Sequence, residues 1–517
     1  MRRRVATRMR LGSGAIVLVD LDSDATTPLH RRIYDDLRRQ ILDGRLKRGA
    51  RLPSTRSLAV DLRVSRSTVV QAFEQLRAEG YIDSVTRGAT RVSANLPDGL
   101  VRADTPPRPA KPATAHAGPA RRGATVARAW PQFGVLSEQP PRPFRTSVPA
   151  LDVFPIDLWG RLMARRWRRS PAAALAYGDT RGLTTLRHEI TEYLTHARGV
   201  RCHPDQVIVT SGSQHALDLA ARTVLEPGDA VWMEDPGYFG AGGAFVSAGA
   251  RLVPVPVDRD GMNVGEAIRR QARAKLAFVT PARQLPLGVT MTLERRLALL
   301  GWAAQRHAWI LEDDYDSEFR YSTRPLASLQ GLDASNCVIF TGTFSKVMFP
   351  ALRLGYLVVP DSLVDAVTVV RRHMDFCAPY FAQAVMADFM REGHFERHIR
   401  RMRSIYQARR ELFVDLLRQE CDGLLEVEAP DAGMNLIAWL PHGTSDRKIS
   451  QALRGEGLET LPLSSCAMKR RLRPGLLLGF SGIREPDLHD GVLRLARHLE
   501  RLVRRRQRRE VRARQPR

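Results

Sequence analysis

The sequence predicts a chain of two unlike parts: a small helical N-terminal module and a large α/β domain built on a mostly parallel, buried sheet. Three observations carry this expectation. From about residue 146 onward, short apolar runs alternate with helix-length segments, the pattern of strands joined by crossover helices. Residues 25–95 are compact, charged and patterned at helical spacing, which suits a separate module with its own core. Between them, residues 96–145 are rich in Pro, Ala and Arg with little apolar periodicity, and such a stretch reads as a stiff, solvated linker that forms no core. A length of 517 residues also exceeds what one hydrophobic core holds.

The N-terminal module is legible in residues 52–82, "LPSTRSLAVDLRVSRSTVVQAFEQLRAEGYI". Ser54 is placed to cap a short helix that turns Leu58, Ala59 and Leu62 inward, and Ser65 to cap the next. That second helix repeats apolar residues at 69, 72, 73 and 76, the spacing of one buried stripe. Its outward first turn is Ser65, Arg66, Ser67 and Thr68. A helix start with an arginine and three hydroxyls can enter a major groove, the arginine reading guanine edges while hydroxyls and amides hold phosphates. The following "YIDSVTRGATRV" reads as two extended runs around Arg87 and Gly88, a wing directed at the minor groove.

Residues 28–82 as a whole resemble the GntR-type winged helix-turn-helix. The resemblance implies contacts to a double-stranded DNA operator from Arg56, Ser65, Arg66, Ser67 and Thr68, with Gly88 at the wing tip. The wing departs from the family's glycine-rich "GSGT", carrying "TRGAT" instead. Charge agrees with an anionic partner. The formal net charge is +25, concentrated at the arginine-rich ends and in the middle stretch, and such an excess favours nucleic acid or a membrane surface. No stretch approaches the roughly 18 uncharged apolar residues of a membrane span. The five cysteines are scattered and odd in number, with no metal-ligand spacing, so no metal is expected and the setting is a reducing cytoplasm, with the nucleoid when DNA is bound.

In the large domain, "QVIVTSG", "AVWMEDPG", "RLVPVPV", "KLAFVTP", "WILEDDY", "CVIFTGT" and "LGYLVVP" read as strands, with helices at 213–225 and 292–306 between them. Residues 380–505 are more helical and predict a smaller lobe, and 506–517 a basic tail. Several strand ends carry chemistry. A lysine used covalently needs a lowered pKa or an aldehyde partner, and anchors for that partner. Lys346 in "GTFSKVMFPALRLGY" follows a strand, and Asp313 in "EDDYDSEFRY" ends another, where α/β sheets hold their ligands. A carboxylate there would keep a pyridine nitrogen protonated, leaving Tyr315 for a phenolic oxygen. Gly212, Ser213 and Gln214 in "VTSGSQHALDLA" open a helix as a phosphate cradle. Tyr238 can cover an aromatic ring, while Ser345 and Arg353 can complete the phosphate site. The cofactor this describes is pyridoxal 5′-phosphate, with Lys346 its Schiff-base partner.

Residues 146 to about 505 resemble a fold-type I aminotransferase, a large α/β lobe with a smaller α+β lobe. The whole chain resembles the MocR subfamily of bacterial transcriptional regulators, through "YGDTRGLTTLR", "VTSGSQHALDLA", "EDPGY", "EDDYDSEFRY", "GTFSKVMFPALRLGY" and "GHFERHIRRMR". The resemblance implies that Lys346, Asp313, Tyr315, Tyr238, Ser213, Ser345 and Arg353 hold the cofactor. It also implies that Tyr177 reaches the phosphate site of the other subunit in a head-to-tail homodimer.

Three places depart from the pattern. Arg283 stands where the family's "HQFPTG" loop has histidine; Leu477 stands where many aminotransferases carry a carboxylate-binding arginine, and Gly240 where some members carry a second. Arg283 is either a substitute anchor or a peripheral loop residue. Loss of a bidentate anchor weakens the case for amino-acid transamination. The expected function is a regulator sensing pyridoxal phosphate, or an amine or amino acid that condenses with it. The alternative, an active aminotransferase with a DNA-binding appendage, would show steady keto-acid production.

Overall fold

The structure, a computed structural model, describes residues 27–84, 89–94, 96, 118–129, 142–321 and 327–514. The chain divides into two compact units, residues 1–118 and 119–517.

In the first unit, α1 (Leu29–Leu42), α2 (Thr55–Asp61) and α3 (Arg66–Ala78) precede a two-stranded antiparallel ribbon, β1 (Ile82–Ser84) and β2 (Thr90–Val92), with Ile82 opposite Val92. Val69, Ala72, Phe73 and Leu76 of α3 are buried against Ile33, Leu37 and Ile41 of α1. The stripe expected from spacing is the packed face. Ser54 accepts from the Ser57 amide at 3.1 Å and Ser65 from the Thr68 amide at 3.2 Å, so both caps form as their residue types predict. The turn between α2 and α3 passes through Arg63 at φ 53°, a left-handed conformation that reverses the chain sharply.

The second unit begins with α4 (Arg121–Ala129), inside the stretch read as a stiff, solvated linker. The expectation that this stretch adds nothing to a core fails at its end. Phe144 is fully buried, stacked on Phe413 at 5.4 Å, and Arg145 pairs with Glu459. Composition averaged over fifty residues hides one aromatic whose partners are almost three hundred residues away.

Then come α5 (Ile156–Arg169), α6 (Thr184–Arg198), β3 (Val207–Thr210), α7 (Ser213–Val224), β4 (Ala230–Asp235), α8 (Phe239–Ser247), β5 (Arg251–Asp258), β6 (Gly261–Met262), α9 (Val264–Gln271), β7 (Leu276–Val279), α10 (Leu293–Arg306), β8 (Trp309–Asp314), α11 (Leu329–Leu332), β9 (Val338–Thr343) and β10 (Gly355–Val358). Their sheet has the order β3-β10-β9-β8-β7-β4-β5-β6. The central pairs, from β5 through β4, β7 and β8 to β9, are parallel, whereas β10 runs antiparallel to both neighbours. Every residue of β3, β4, β7, β9 and β10 is buried, as a sheet covered by helices on both faces requires. All seven strand-like runs of the sequence are strands of this sheet.

The smaller lobe follows α12 (Asp361–Met374) and α13 (Tyr380–Arg391). It comprises α14 (His394–Glu420), β11 (Glu426–Val427), β12 (Asn435–Trp439), α15 (Asp446–Gly455), β13 (Leu461–Pro462), β14 (Gly475–Gly479) and α16 (Glu485–Arg514), with the strands in the order β11-β12-β14-β13. α16 runs on through most of the stretch expected to be a separate basic tail. Among the described residues, no helix is long and apolar enough to cross a membrane.

Candidate functional site

Lys346 lies in the loop between β9 and β10. The same loop carries Ser345, whose amide donates to Thr343 Oγ1 at 3.2 Å, and Arg353, held at φ 51°. Because β10 also pairs with β3, placing Gly355 opposite Thr210, Arg353 is delivered to the turn that opens α7. A Cβ added at Gly212, where φ is +100°, would sit 3.3 Å from Arg353 Nη1. Glycine at that place therefore leaves an amide-lined hollow between the start of α7, at Ser213 and Gln214, and a guanidinium. A helix N-terminus facing an arginine is a phosphate cradle.

Asp313 ends β8, the neighbour of β9, with Thr341 opposite it. It is 4% exposed and its Oδ1 has no protein hydrogen-bond partner. Burial pushes its carboxyl up to about 7, with Asp314 adding and Lys346 opposing. A buried carboxylate with a spare acceptor fits a protonated ring nitrogen, which would satisfy that oxygen and neutralise its charge. Burial lowers the Lys346 pKa, while Asp316 and then Asp313 pull it upward, and Lys346 Nζ donates to the Ser147 carbonyl at 3.0 Å. The residues present fit pyridoxal 5′-phosphate at both its ring and its phosphate.

Tyr238 caps α8 after β4, and burial raises its pKa. Gln214 Nε2 donates to the Gly240 carbonyl at 3.0 Å, and the Tyr238 hydroxyl donates to Gln214 Oε1 at 3.4 Å. A Cβ at Gly240 would come within 2.5 Å of the Tyr238 ring. Glycine is thus a packing requirement here, and an arginine in its place would displace Tyr238.

Arg283 is 5% exposed, so the peripheral alternative does not hold. Its Nη1 donates to Asp316 at 3.1 Å and to the Tyr315 hydroxyl at 3.3 Å, and its Nη2 to the Asn435 carbonyl at 2.8 Å. Burial pushes Asp316 up to about 6, Arg283 opposing. Asp316, Asn435 and Ser147 form a group that the sequence reading missed. The Asn435 side chain accepts from the Ser147 amide at 2.7 Å and donates to the Ser147 hydroxyl at 3.1 Å, which fixes the carbonyl that receives Lys346. Asp316 was findable as the further aspartate of "EDDYD"; nothing local marks Ser147 or Asn435.

Tyr177 lies apart from this group. It is 81% exposed, its ring tilted against that of Phe376 at 4.7 Å, and it lines an open cleft of about 1080 Å³ with Leu175, Tyr380 and Phe381.

In the N-terminal unit Arg56, Ser65, Arg66 and Ser67 are exposed and Thr68 half-buried. The Ser65 hydroxyl also meets those of Ser67 and Thr68, at 2.8 and 2.7 Å, so one capping residue organises the whole polar first turn of α3. Arg87 and Gly88 lie outside the described residues.

Comparison with known proteins matches residues 29–92 to the bacterial regulatory proteins of the gntR family and residues 162–476 to aminotransferase class I and II. The probable rhizopine catabolism regulatory protein MocR of Rhizobium meliloti is 40% identical over 472 residues, covering 91% of this chain and 94% of that protein. The pyridoxine biosynthesis transcriptional regulator PdxR of Corynebacterium glutamicum is 31% identical, covering 77% of this chain and 81% of its own. Among solved structures, kynurenine aminotransferase of Pyrococcus horikoshii superposes with a TM-score of 0.64 at 27% identity, over 74% of this chain and 95% of that one.

Proposed function

The chain belongs to the MocR-type regulators, gntR-family DNA readers joined to an aminotransferase class I and II domain, and from that premise we propose that its pyridoxal phosphate site senses an amine or amino acid. It is a pyridoxal-phosphate-binding, DNA-binding transcriptional regulator. The observation that carries the sensing role is the setting of Lys346, a desolvated amine beside Asp313 and Asp316, in the same chain as an exposed, capped recognition helix.

When bound, the cofactor supplies an aldehyde carbon that condenses with amines and a ring that withdraws electrons. The chain's residues do the rest. Asp313 would hold a proton on the ring nitrogen, Tyr315 would bind the phenolic oxygen, Tyr238 would cover the ring, and Ser213, Gln214, Ser345 and Arg353 would hold the phosphate. Lys346, with its proton affinity reduced by burial, would be the chain's own amine at the aldehyde. The Ser147 carbonyl, which accepts from Lys346 Nζ at 3.0 Å, would hold that amine when an effector's amine takes its place.

On DNA, Arg66 reads base edges while Arg56, Ser67 and Thr68 hold the backbone. The exposed apolar cleft around Tyr177, Leu175 and Phe376 favours a second copy as its cover, in a head-to-tail homodimer in the cytoplasm. A contact inside the second unit supports this reading. α4, which opens that unit, packs on α8, the helix that Tyr238 starts; Arg122 donates to the Ser247 carbonyl at 3.5 Å. An effector that moves Tyr238 would bear on α4, a population shift that needs no turnover.

The test is a visible absorbance spectrum of the purified protein beside Lys346→Ala, repeated with amines and amino acids while keto product is assayed. A cofactor band that Lys346→Ala lacks, shifted by an added amine without keto product, bears out the sensor. Steady keto-acid production would establish the enzyme instead.

A further inference from the structure

The site's charges indicate what kind of amine it accepts. This step rests on the sensing role above and concerns recognition alone. A free α-amino acid brings a carboxylate next to its reacting nitrogen, and a buried carboxylate needs a cation or several donors. Arg283 is the arginine beside Asp316, and its charge is already matched. Asp316 takes Nη1 at 3.1 Å, the Tyr315 hydroxyl shares Nη1 at 3.3 Å and the Asn435 carbonyl takes Nη2 at 2.8 Å.

The backbone is also built around that guanidinium. Gly433, at φ +82°, has no Cβ, and one placed there would fall well inside contact with Arg283. To receive a ligand carboxylate, Arg283 would have either to leave Asp316, which is 1% exposed and already has one oxygen without a partner, or to serve two buried carboxylates with one charge. Either way one buried negative charge is left uncompensated.

The neighbouring wall offers no substitute. β12 and β14 pair with Asn435 opposite Gly479 and Ile437 opposite Leu477. Strand alternation puts Leu477 and Ile437 on the same sheet face as Asn435, while Leu476, Leu478 and Ala438 fill the core behind. An apolar pair thus adjoins the residue that positions the lysine's carbonyl acceptor. At Gly240, any side chain would collide with Tyr238 and Gln214.

We propose that the effector is a primary amine without a carboxylate on its amine-bearing carbon, and that the Arg283–Asp316 pair together with Leu477 sets this selectivity. Asp316 acts in addition as a repulsive element, since a second carboxylate would share its desolvated space.

The experiment titrates the full-length protein, loaded with pyridoxal phosphate, with matched pairs that differ only by the carboxylate: ethanolamine and serine, tyramine and tyrosine, isoamylamine and leucine. The readout is the concentration that half-shifts the cofactor's visible band, corrected by the same titration of free cofactor. The expected result is that each amine acts at a concentration at least tenfold below its amino acid. In Leu477→Arg the preference should narrow by tenfold or more through gained amino-acid affinity, and in Asp316→Asn it should narrow through release of Arg283. Equal or reversed preference in the unaltered protein overturns this inference and leaves the sensing role standing. No shift by either class overturns both.

Discussion

Ser65, Arg66 and Ser67 at the head of α3 stand in solvent, whereas Asp313, Asp316 and Arg283 around Lys346 are at least 95% buried. The two sites use the same polar chemistry under opposite conditions. In water a hydroxyl or guanidinium waiting for a phosphate costs nothing while idle, and its contribution on binding is correspondingly modest. In the pocket each charge is held away from water, so an idle group is a standing cost that a ligand can relieve. Substitutions should therefore act on stability and cofactor at one site, and on DNA affinity at the other.

The strongest way to break that contrast is Gly433→Ala. A methyl group there collides with Arg283 and forces a residue out of positive φ, so the second unit should lose about 3 kcal/mol in denaturant unfolding, with DNA binding by the first unit unaltered. An Ala variant of unchanged stability would mean the guanidinium is free to move.

Asp313→Asn sharpens the contrast through pH. The folded carboxyl is raised to about 7 by burial, so between roughly pH 4 and 7 the folded state holds a proton that the unfolded state has released, and stability falls as pH rises. In cofactor-free protein Asn removes that slope and should gain on the order of 4 kcal/mol above pH 7, a gain that vanishes near pH 4. The same change should weaken cofactor binding at pH 8 by at least about tenfold. If unfolding curves at pH 5 and 8 show no difference between the two proteins, the carboxylate is not paying for its burial.

At the exposed site, Arg66→Ala should reduce operator affinity by about 1–2 kcal/mol, measured with salt varied, and leave the cofactor band untouched. A protein that still separates operator from random DNA as well as before would misplace the recognition helix. Ser65→Ala, the smallest of these effects, should cost the first unit about 1 kcal/mol through the lost cap. Its loss of DNA affinity should exceed that of Ser67→Ala, because the Ser65 hydroxyl organises both neighbours.

Much of both sites was legible in the chain itself. α3 was readable because its buried stripe, Val69, Ala72, Phe73 and Leu76, and its cap at Ser65 are local. Asp313, Lys346 and the Gly212–Gln214 turn were readable because each closes an apolar run, and runs of that kind become buried strands. Ser147, Asn435 and Gly433 gave no such sign: their roles exist only where residues far apart in the chain meet. Arg283 shows the limit most clearly. Its sequence allowed either an anchor or a loop residue, and only the position of Asp316 decides what its charge can do.

What the amino-acid order determined by itself is therefore the two-part architecture, the element types and the residues that end them, since caps, periodicity and strand-forming runs act over a few residues. What the tertiary structure alone decided is which charges are paired and which are left wanting. β10 brings Arg353 to Gly212, β12 brings Asn435 to Ser147, and Arg283 is committed to Asp316. Burial and pairing are properties of neighbours in space, and a carboxylate's proton affinity, or an arginine's freedom to bind a ligand, follows from those neighbours.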